Sequence, residues 1–291
     1  MPNEQAKKSK KSLWWLVALV AIALAVGGGV LWYTQVKVPH DLEVAEHEAA
    51  VAEFNSAAEG LEAKNDALAK SISELEATIN SENPPLDPEL IQSSGALIGQ
   101  AQAELVSVPA MPAETDEILA AASKMNEVPP FDTQIAKLEE ALDVFEQSVA
   151  QMEQVTNPPE QFVIERITGL PNIVGVQAAT EENDPNGKLN KQGGYTAAVF
   201  FTSDLVDRSL IYEEGDIVSV GTEGGGAVEV FSTVEDAESR NEYLAAFDGT
   251  ILGPGSHSVV GTCIIRTSDH LTASQQEALT ASIRDSLVRL D

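Results

Sequence analysis

The sequence contains little cysteine, few aromatic residues and few basic residues. Cys263 is the single cysteine, so no disulfide can form within the chain, and no cysteine follows the N-terminal apolar segment to accept a lipid. Aromatic residues make up 5% of the chain, and 17 basic residues face 46 acidic ones, which gives a net charge of −29 at pH 7. Such an acidic surface repels nucleic acid, so we expect no nucleic-acid partner. The acidity keeps an exposed protein soluble, or it attracts cations and basic partners.

Residues 13–33 form one long apolar run without charge, LWWLVALVAIALAVGGGVLWY. At about 1.5 Å per residue, a helix of this length spans the ~30 Å hydrocarbon core of a bilayer. A cleaved signal peptide is the alternative, because Ala25 and Gly27 are small residues at a suitable spacing. Secretory apolar cores usually contain only about 7–15 residues, however. We therefore predict a retained transmembrane signal-anchor helix over residues 13–34.

The flanks of this segment predict its orientation. Residues 1–12 form a basic tail that carries four lysines, at positions 7, 8, 10 and 11, whereas the other end has only Lys37 before an acidic run. Positive charge stays on the cytoplasmic side, so the N-terminus is expected in the cytoplasm and residues 34–291 outside the cell membrane. Pro39 is expected to interrupt any helix that continues from the membrane.

Residues 40–157 have the pattern of a helical stalk or bundle. From Asp41, a candidate N-cap, one apolar seam recurs every seventh residue and a second is offset from it by three and four. The first seam contains Val44, Val51, Ala58, Asn65, Ile72 and Ile79, and the second contains Phe54, Leu61, Leu68 and Leu75. Asn65 could fix the register of a parallel dimer, or it could be a tolerated polar residue in a bundle.

The chain also supplies its own partner helices. Prolines 84 and 85 end the long helix, Asp87 caps a helix that contains residues 90–105, and further helices are predicted over 114–126 and from Asp132. An antiparallel all-α bundle would satisfy the apolar stripes within one chain. A homodimer through residues 44–79 is the alternative, and the two are not exclusive.

Residues 158–291 change in composition and predict an α+β domain, with helices covering one face of a small sheet. Thr233 with Asp236, and Thr272 with Gln275, have the spacing of helix N-terminal capping boxes. Strands are predicted over residues 173–179, 195–203, 217–220, 227–231 and 257–267.

Three runs of this domain carry a resemblance: EENDPNGKLNKQGGYTAAVFF, AVEVFSTVEDAESRNEYLAAFDGT and VVGTCIIRTSDHLTASQQ. Over about residues 160–288 the chain resembles an uncharacterised family of membrane-anchored or secreted surface proteins of Gram-positive bacteria. Members are sometimes labelled extracellular-matrix-binding by name transfer. The resemblance implies a Gram-positive surface location and no catalytic activity.

The strongest candidate metal ligands are Glu182, Asp184 and Asn186. With Gly187 they match the first half of a calcium-binding loop, which places oxygen ligands at positions 1, 3 and 5 and glycine at 6. The second half fails, because position 12 is Gly193 where a bidentate glutamate is required. Asp204 or Asp207 would then have to complete a Ca²⁺ site. The competing interpretation is a turn, because Asp-Pro and Asn-Gly are turn dipeptides.

Material for nucleophilic catalysis is scarce. Cys263 lies in a predicted strand, and His257, on the same face, would be about 20 Å away along it, at ~3.3 Å per residue. We therefore predict a buried structural cysteine. The glycines at 193–194 and 224–226 lack the lysine and hydroxyl residues of a phosphate loop, so close backbone approach or a hairpin explains them. The scattered arginines Arg166, Arg240 and Arg266 are expected to form ion pairs.

Three functional hypotheses follow. The first is a single-pass membrane protein that presents the α+β domain for non-enzymatic binding, sensing or scaffolding, with a protein or cell-envelope partner. The second is a calcium or small-ligand sensor that uses the loop at residues 182–187. The third is an envelope hydrolase whose carboxylate site is assembled from Asp184, Asp204, Asp207 and Glu229.

Overall fold

A computed structural model describes residues 5–250, 253 and 255–290, with side chains described at Trp15 and from residue 17 onward. Nine α-helices and five strands are found in this part of the chain. The helices are α1 (Gln5–Trp32), α2 (Val38–Ile79), α3 (Glu89–Glu104), α4 (Thr115–Glu127), α5 (Asp132–Gln154), α6 (Glu160–Ile167), α7 (Ile217–Val220), α8 (Val234–Ala245) and α9 (Ala273–Val288). The strands are β1 (Ile173–Ala178), β2 (Ala197–Ser203), β3 (Gly225–Val230), β4 (Ser256–Val260) and β5 (Cys263–Thr267).

The chain forms two compact units. The first comprises the described residues up to Ser71 together with Ala101–Ile135. The second comprises Ile72–Gln100 and the described residues from Ala136 onward. The boundaries proposed from sequence, with a helical segment over 40–157 and an α+β domain over 158–291, stay predictions.

Helix α1 contains the apolar run and exposes it. From Val17 onward the helical stretch holds an 18-residue window of mean hydropathy 2.0, none of which is buried. Leu24 and Ile22, for example, are 71% and 60% exposed. Among the described residues, one helix near the N-terminus is therefore long and apolar enough to cross a membrane, as the sequence predicts. Its orientation stays a prediction.

The expected break at Pro39 is wrong. A π-helical turn, Tyr33–Lys37, follows α1 directly, and Pro39 is the second residue of α2. The Val38 N–H donates to the carbonyl of Tyr33, five residues back. This wider turn accommodates the proline ring and its missing N–H without ending the helix. Asp41 is consequently not an N-cap: it lies inside α2 and pairs with Lys37 at 2.9 Å.

In the first unit, α2 packs against α4. Ala50, Phe54, Ala57 and Leu61 of α2 form a core with Ile118, Ala122 and Met125 of α4. The predicted second seam of α2 is confirmed in its burial, since Phe54, Leu61, Leu68 and Leu75 are all at most 4% exposed. Each such side chain contributes roughly 1.5–3 kcal/mol when it is removed from water. The first seam is less complete, because Val44 is 44% exposed.

Asn65, the polar member of the first seam, bonds within the chain. Its Nδ2 donates to the Val106 carbonyl at 2.7 Å, and its Oδ1 accepts the Val106 N–H at 3.2 Å. Both hydrogen-bonding groups of the amide are therefore used on the segment that follows α3. The bundle over residues 40–157 and the homodimer through residues 44–79 both stay predictions.

The second unit contains an antiparallel five-stranded sheet in the order β1-β2-β3-β5-β4. Helices pack on both faces, not on one as expected. Val163 of α6 and Ile283 of α9 join one core with alternate strand residues such as Phe201. Ala237 and Leu244 of α8 join a second core with Phe200 on the opposite face. Because both faces are covered, every residue of β2, β3 and β5 is buried.

Two strand predictions are wrong. Residues 217–220 form the short helix α7, because the Asp216 side chain accepts the Ser219 N–H at 2.9 Å and caps it. Residues 257–267 are not one strand but the hairpin of β4 and β5, which turns at Gly261. Gly261 has a φ of +57°, and a Cβ atom there would lie 2.3 Å from Val155, so the turn requires glycine.

Candidate functional site

A buried ionic network lies between the sheet and α8. Glu229 of β3 is 0% exposed, and its neighbours on the strand, Val228 and Val230, point into the opposite core. Arg266 Nη1 of β5 donates to Glu229 Oε1 at 2.8 Å. Arg240 of α8 donates from Nε to Oε2 at 2.9 Å and from Nη2 to Oε1 at 3.1 Å. One carboxylate therefore joins two strands and the helix that covers them.

The two guanidinium groups keep Glu229 ionised. Burial alone favours the protonated acid, but the hydrogen bonds and charges of Arg240 and Arg266 lower the pKa of Glu229 below its usual value. Arg266 Nε is buried without a hydrogen-bond partner in the described part of the chain. Burying such charges is costly, and the network holds only while every member is present.

Tyr195 lies beside this network and fixes the loop after β1. Its ring is 1% exposed and meets the ring of Phe231 edge-on, with centroids 6.1 Å apart. Its hydroxyl donates to Asp184 Oδ1. Burial and the neighbouring Asp184 raise the pKa of Tyr195, so the phenol stays protonated and remains a donor.

Asp184 organises its own loop. Besides the Tyr195 hydroxyl, its carboxylate accepts the backbone N–H groups of Asn186 at 3.1 Å, Lys188 and Leu189 at 2.8 Å. Burial acts to raise the pKa of Asp184, but these donors outweigh it and lower the pKa. Gly194 closes the loop, because a Cβ atom at that position would lie 2.0 Å from the Lys188 carbonyl oxygen.

The loop and α8 enclose a cleft of about 440 Å³. One wall is the α8 face that carries Asp236, Ser239, Arg240 and Tyr243, which are spaced three and four apart. The other wall is the loop from Asn186 to Tyr195. The full lining is Asn186, Lys188, Gly193, Gly194, Tyr195, Phe231, Asp236, Ser239, Arg240 and Tyr243. A cleft of this size suits a small ligand.

The predicted metal ligands Glu182, Asp184 and Asn186 lie in the loop after β1, and two of them bond the same hydroxyl, that of Tyr195. Glu182 is exposed, Asp184 accepts hydrogen bonds from the loop backbone, and Asn186 donates from Nδ2 to the Tyr195 hydroxyl at 3.3 Å. In the described part of the chain, no group of three or more His, Cys, Asp or Glu side chains is placed to hold a metal. The calcium hypothesis stays a prediction.

The four carboxylates of the hydrolase hypothesis have separate partners. Asp204 accepts from Asn172 Nδ2 at 3.0 Å, and Asp207 caps a short 3₁₀ turn by accepting the Ser209 N–H. Leu205 and Val206, from the same segment, pack into the core on the sheet face opposite to Glu229. Hydrogen bonds from Ser209 lower the pKa of Asp207. Within the described residues, no hydrogen bond joins any two of the four acids.

Cys263 is the buried structural cysteine that the sequence predicts. It is 0% exposed in the core under α6 and α9, and burial raises the pKa of its thiol to about 12. The expectation that His257 shares its face along one strand is wrong. His257 lies on β4 opposite Arg266, where its Nδ1 is 2.6 Å from Asn241 Oδ1 of α8. The two residues therefore lie on opposite faces of the sheet.

Sequence reasoning identified the ion-pairing role of Arg240 and Arg266 but not the cleft. No motif in the sequence marks the cleft residues Tyr195, Lys188, Ser239 and Tyr243, because each is a common residue in a loop or on a helix face. One signal was available: Glu229 and Arg266 interrupt apolar strands, AVEVF and CIIRT, and a charge inside a buried strand requires a buried partner. The pairing itself depends on the strand order.

Comparison of the chain with protein-family models, with curated proteins and with solved structures gave no match.

Proposed function

We propose that this chain is a single-pass membrane protein whose residues 34–291 lie outside the cell, where the α+β unit acts as a non-enzymatic binding, sensing or scaffold module. The exposed apolar surface of α1 supports the membrane location, since none of its apolar window is buried by the protein. The four lysines before the helix support a cytoplasmic N-terminus.

One observation carries the binding role. The cleft is open, yet Arg240 in its wall is held by the fully buried carboxylate of Glu229, which Arg266 also binds, so the shape of the cleft exists before any ligand arrives. Preorganised side chains lower the entropic cost of binding.

The lowered pKa values of the candidate carboxylates do not favour the hydrolase alternative. Glycoside hydrolysis requires a carboxylic acid whose pKa is raised so that it can protonate the leaving group, next to a second carboxylate. The pKa values of Asp184, Asp207 and Glu229 are instead lowered, so these groups are ionised acceptors.

The resemblance over residues 160–288 supports a Gram-positive cell envelope as the location of the module. A homodimer through residues 44–79 belongs to the same proposal as an alternative to a self-contained bundle. The intrachain bonds of Asn65 to Val106 favour the bundle, because they leave no amide group to pair across a dimer seam.

Cysteine labelling in intact cells tests the topology. Ser81→Cys lies in the exposed turn after α2, and Ser9→Cys lies in the basic tail. A membrane-impermeant maleimide should label the first variant on intact cells and the second only after lysis. The parent chain is the control, because Cys263 is buried and should not react. Labelling of both variants on intact cells, or of neither, would contradict the proposal.

Photocrosslinking tests the binding role. A benzoyl-phenylalanine group at Tyr243, in the cleft, should capture an envelope component that the same group at Tyr212 does not. Tyr212 is 90% exposed and lies outside the cleft, so it is a matched control. Equal capture at both positions would count against a binding role for the cleft.

A further inference from the structure

The cleft beside α8 is lined by two basic residues in a strongly acidic protein. Lys188 comes from the loop and Arg240 from the helix, and both line the cleft. Only 17 of the 291 residues are basic, against 46 acidic ones. Over most of this surface an anion would be repelled, so a cleft lined by two basic residues is the better place for an anionic group to bind.

The guanidinium group of Arg240 is held in a fixed orientation and has N–H groups that make no hydrogen bond to the described residues. Nε and Nη2 both donate to Glu229, which fixes the plane of the group. The Tyr243 ring lies 5.5 Å from the guanidinium carbon and supports it from another side. Within the described residues, Nη1 donates to no protein atom. A guanidinium held in this way presents its remaining N–H groups in a fixed direction.

Lys188 is held through its backbone while its side chain is left exposed. Asp184 accepts the Lys188 N–H, and the carbonyl oxygen of Lys188 packs against Gly194. The lysine ammonium has no hydrogen-bond or ion-pair partner in the described part of the chain. A neighbouring lysine, Lys191, is instead bonded from Nζ to the Gly187 carbonyl at 2.6 Å. Lys188 is therefore the loop cation available to a ligand.

The cleft also contains groups of the opposite character. Asp236 and Ser239 share the α8 wall with Arg240. The Asp236 carboxylate makes no hydrogen bond to the described residues, and only its backbone N–H is used, by the Thr233 cap. An anion alone would be repelled by Asp236, whereas a ligand that also carries a hydroxyl or ammonium group can donate to it.

We propose that the cleft binds a small ligand with a carboxylate or phosphate group, which contacts Lys188 and Arg240 Nη1, while a hydroxyl or ammonium group of the ligand donates to Asp236. This inference rests on the proposed binding function and names its ligand class. Charge-assisted hydrogen bonds of this kind are the strong ones, and Arg240 is already aligned by its two hydrogen bonds to Glu229.

Nuclear magnetic resonance on the full chain in detergent micelles tests the inference. The backbone amides of Gly193 and Gly194 line the cleft and serve as reporters, whereas those of Gly60 and Gly99 have open surroundings elsewhere. The probes are acetate and inorganic phosphate, which carry only the anionic group, and glycine and glycerol phosphate, which add a donor group. The probes are titrated to about 50 mM, a concentration that saturates a site whose Kd is roughly 1 mM.

Free glycine or glycerol phosphate should shift the amide resonances of Gly193 and Gly194 saturably. Acetate or phosphate alone should bind more weakly, and the amides of Gly60 and Gly99 should not shift with any probe. Comparison of the carboxylate and phosphate probes assigns the anionic group. Lys188→Ala should reduce the affinity at least tenfold without unfolding, since the side chain is exposed. Lys124→Ala, which removes a lysine of α4, should leave it unchanged.

The inference is overturned if no probe shifts the reporters, or if Lys188→Ala binds as the parent does. A site that responds equally to all four probes would contradict the role of Asp236. Failure here leaves the topology and photocrosslinking tests unaffected, so it is distinguishable from failure of the proposed function.

Discussion

The carboxylate of Glu229 is bound on one side by Arg240, through two hydrogen bonds of 2.9 and 3.1 Å, while it is itself completely inaccessible to solvent. Arg266 completes the network at 2.8 Å. This pairing connects β3, β5 and α8, and it positions the wall of the cleft. Its energetics supply the first two predictions.

Glu229→Gln should destabilise the protein by about 3–5 kcal/mol, because it leaves the buried guanidinium group of Arg266 and the partly buried one of Arg240 without a counter-ion. Urea denaturation followed by circular dichroism measures the loss. Glu235→Gln, an exposed change on α8, is the control and should shift stability by less than about 0.5 kcal/mol. Equal stability of the two variants would show that the network contributes nothing.

The stability of the parent chain should fall in acid. The pKa values of Glu229 and Asp184 are lower in the folded protein than in the unfolded chain. Each group therefore contributes stability that is fully present above its unfolded pKa of about 4 and is lost as the pH falls through the folded pKa. Denaturation midpoints measured between about pH 7 and pH 3 should decline, and less steeply for Glu229→Gln. An identical slope in both proteins would contradict the assignment.

Tyr195→Phe should cost about 0.5–1.5 kcal/mol, because the Asp184 carboxylate loses its hydroxyl donor. The pKa of Asp184 should also rise toward its ordinary value, since that donor helps to lower it. Thermal denaturation and titration of the Asp184 carboxyl carbon by nuclear magnetic resonance measure the two effects. Tyr212→Phe, at a 90% exposed position, should change neither.

Asn65→Leu distinguishes the two interpretations of the long helix. If the amide serves the Val106 backbone, the variant loses both hydrogen bonds, each of which contributes about 0.5–1.5 kcal/mol at most, since water can replace the amide at this exposed position. If Asn65 instead specifies a dimer, an apolar residue should strengthen association. Sedimentation of the full chain in detergent, together with urea denaturation, separates these outcomes. We expect lower stability without added dimer.

Calcium should leave the melting temperature unchanged. The Asp184 carboxylate already accepts three backbone N–H groups and one hydroxyl, which use the lone pairs that a cation would need. Thermal denaturation with and without calcium, at concentrations of about 5 mM that suit an extracellular site, measures this. A rise in the parent, abolished by Asp184→Asn but not by Glu277→Gln, would establish the site that the residues at 182–186 suggest.

Local signals in the sequence were reliable where one residue fixes one backbone group. Thr272 and Gln275 form the capping box at the start of α9, and Asp87 Oδ1 accepts the Glu89 N–H at the start of α3. The apolar stripe of α2 also identified its buried residues correctly, since helical periodicity places them on one face. The errors occurred where distant residues decide the conformation.

Those errors share a physical cause. Residues 217–220 are rich in β-branched side chains and therefore predict a strand. They form a helix instead, because the Asp216 side chain caps it and Gln177 of β1 accepts the hydrogen bond of its first N–H group. The run at 257–267 is rich in β-branched residues on both sides of Gly261 and Thr262, yet it turns at Gly261 against Val155. At Pro39, the π-helical turn before the proline compensates for its missing hydrogen bond. In each case tertiary or neighbouring contacts override local propensity.

By itself the sequence determined the apolar helix near the N-terminus, the acidic character, the absence of internal disulfides and most element boundaries, because each depends on composition or on neighbours within a few residues. Only the tertiary structure decided that Glu229 meets Arg240 and Arg266, that Asp184 serves its loop, and that Lys188 and Arg240 face one cleft. These relationships join residues far apart in the sequence: Glu229 and Arg266, for example, are 37 positions apart. They follow from strand order and helix packing. The charges inside the apolar strands AVEVF and CIIRT indicate that buried partners exist, but only the packed fold decides which residues pair.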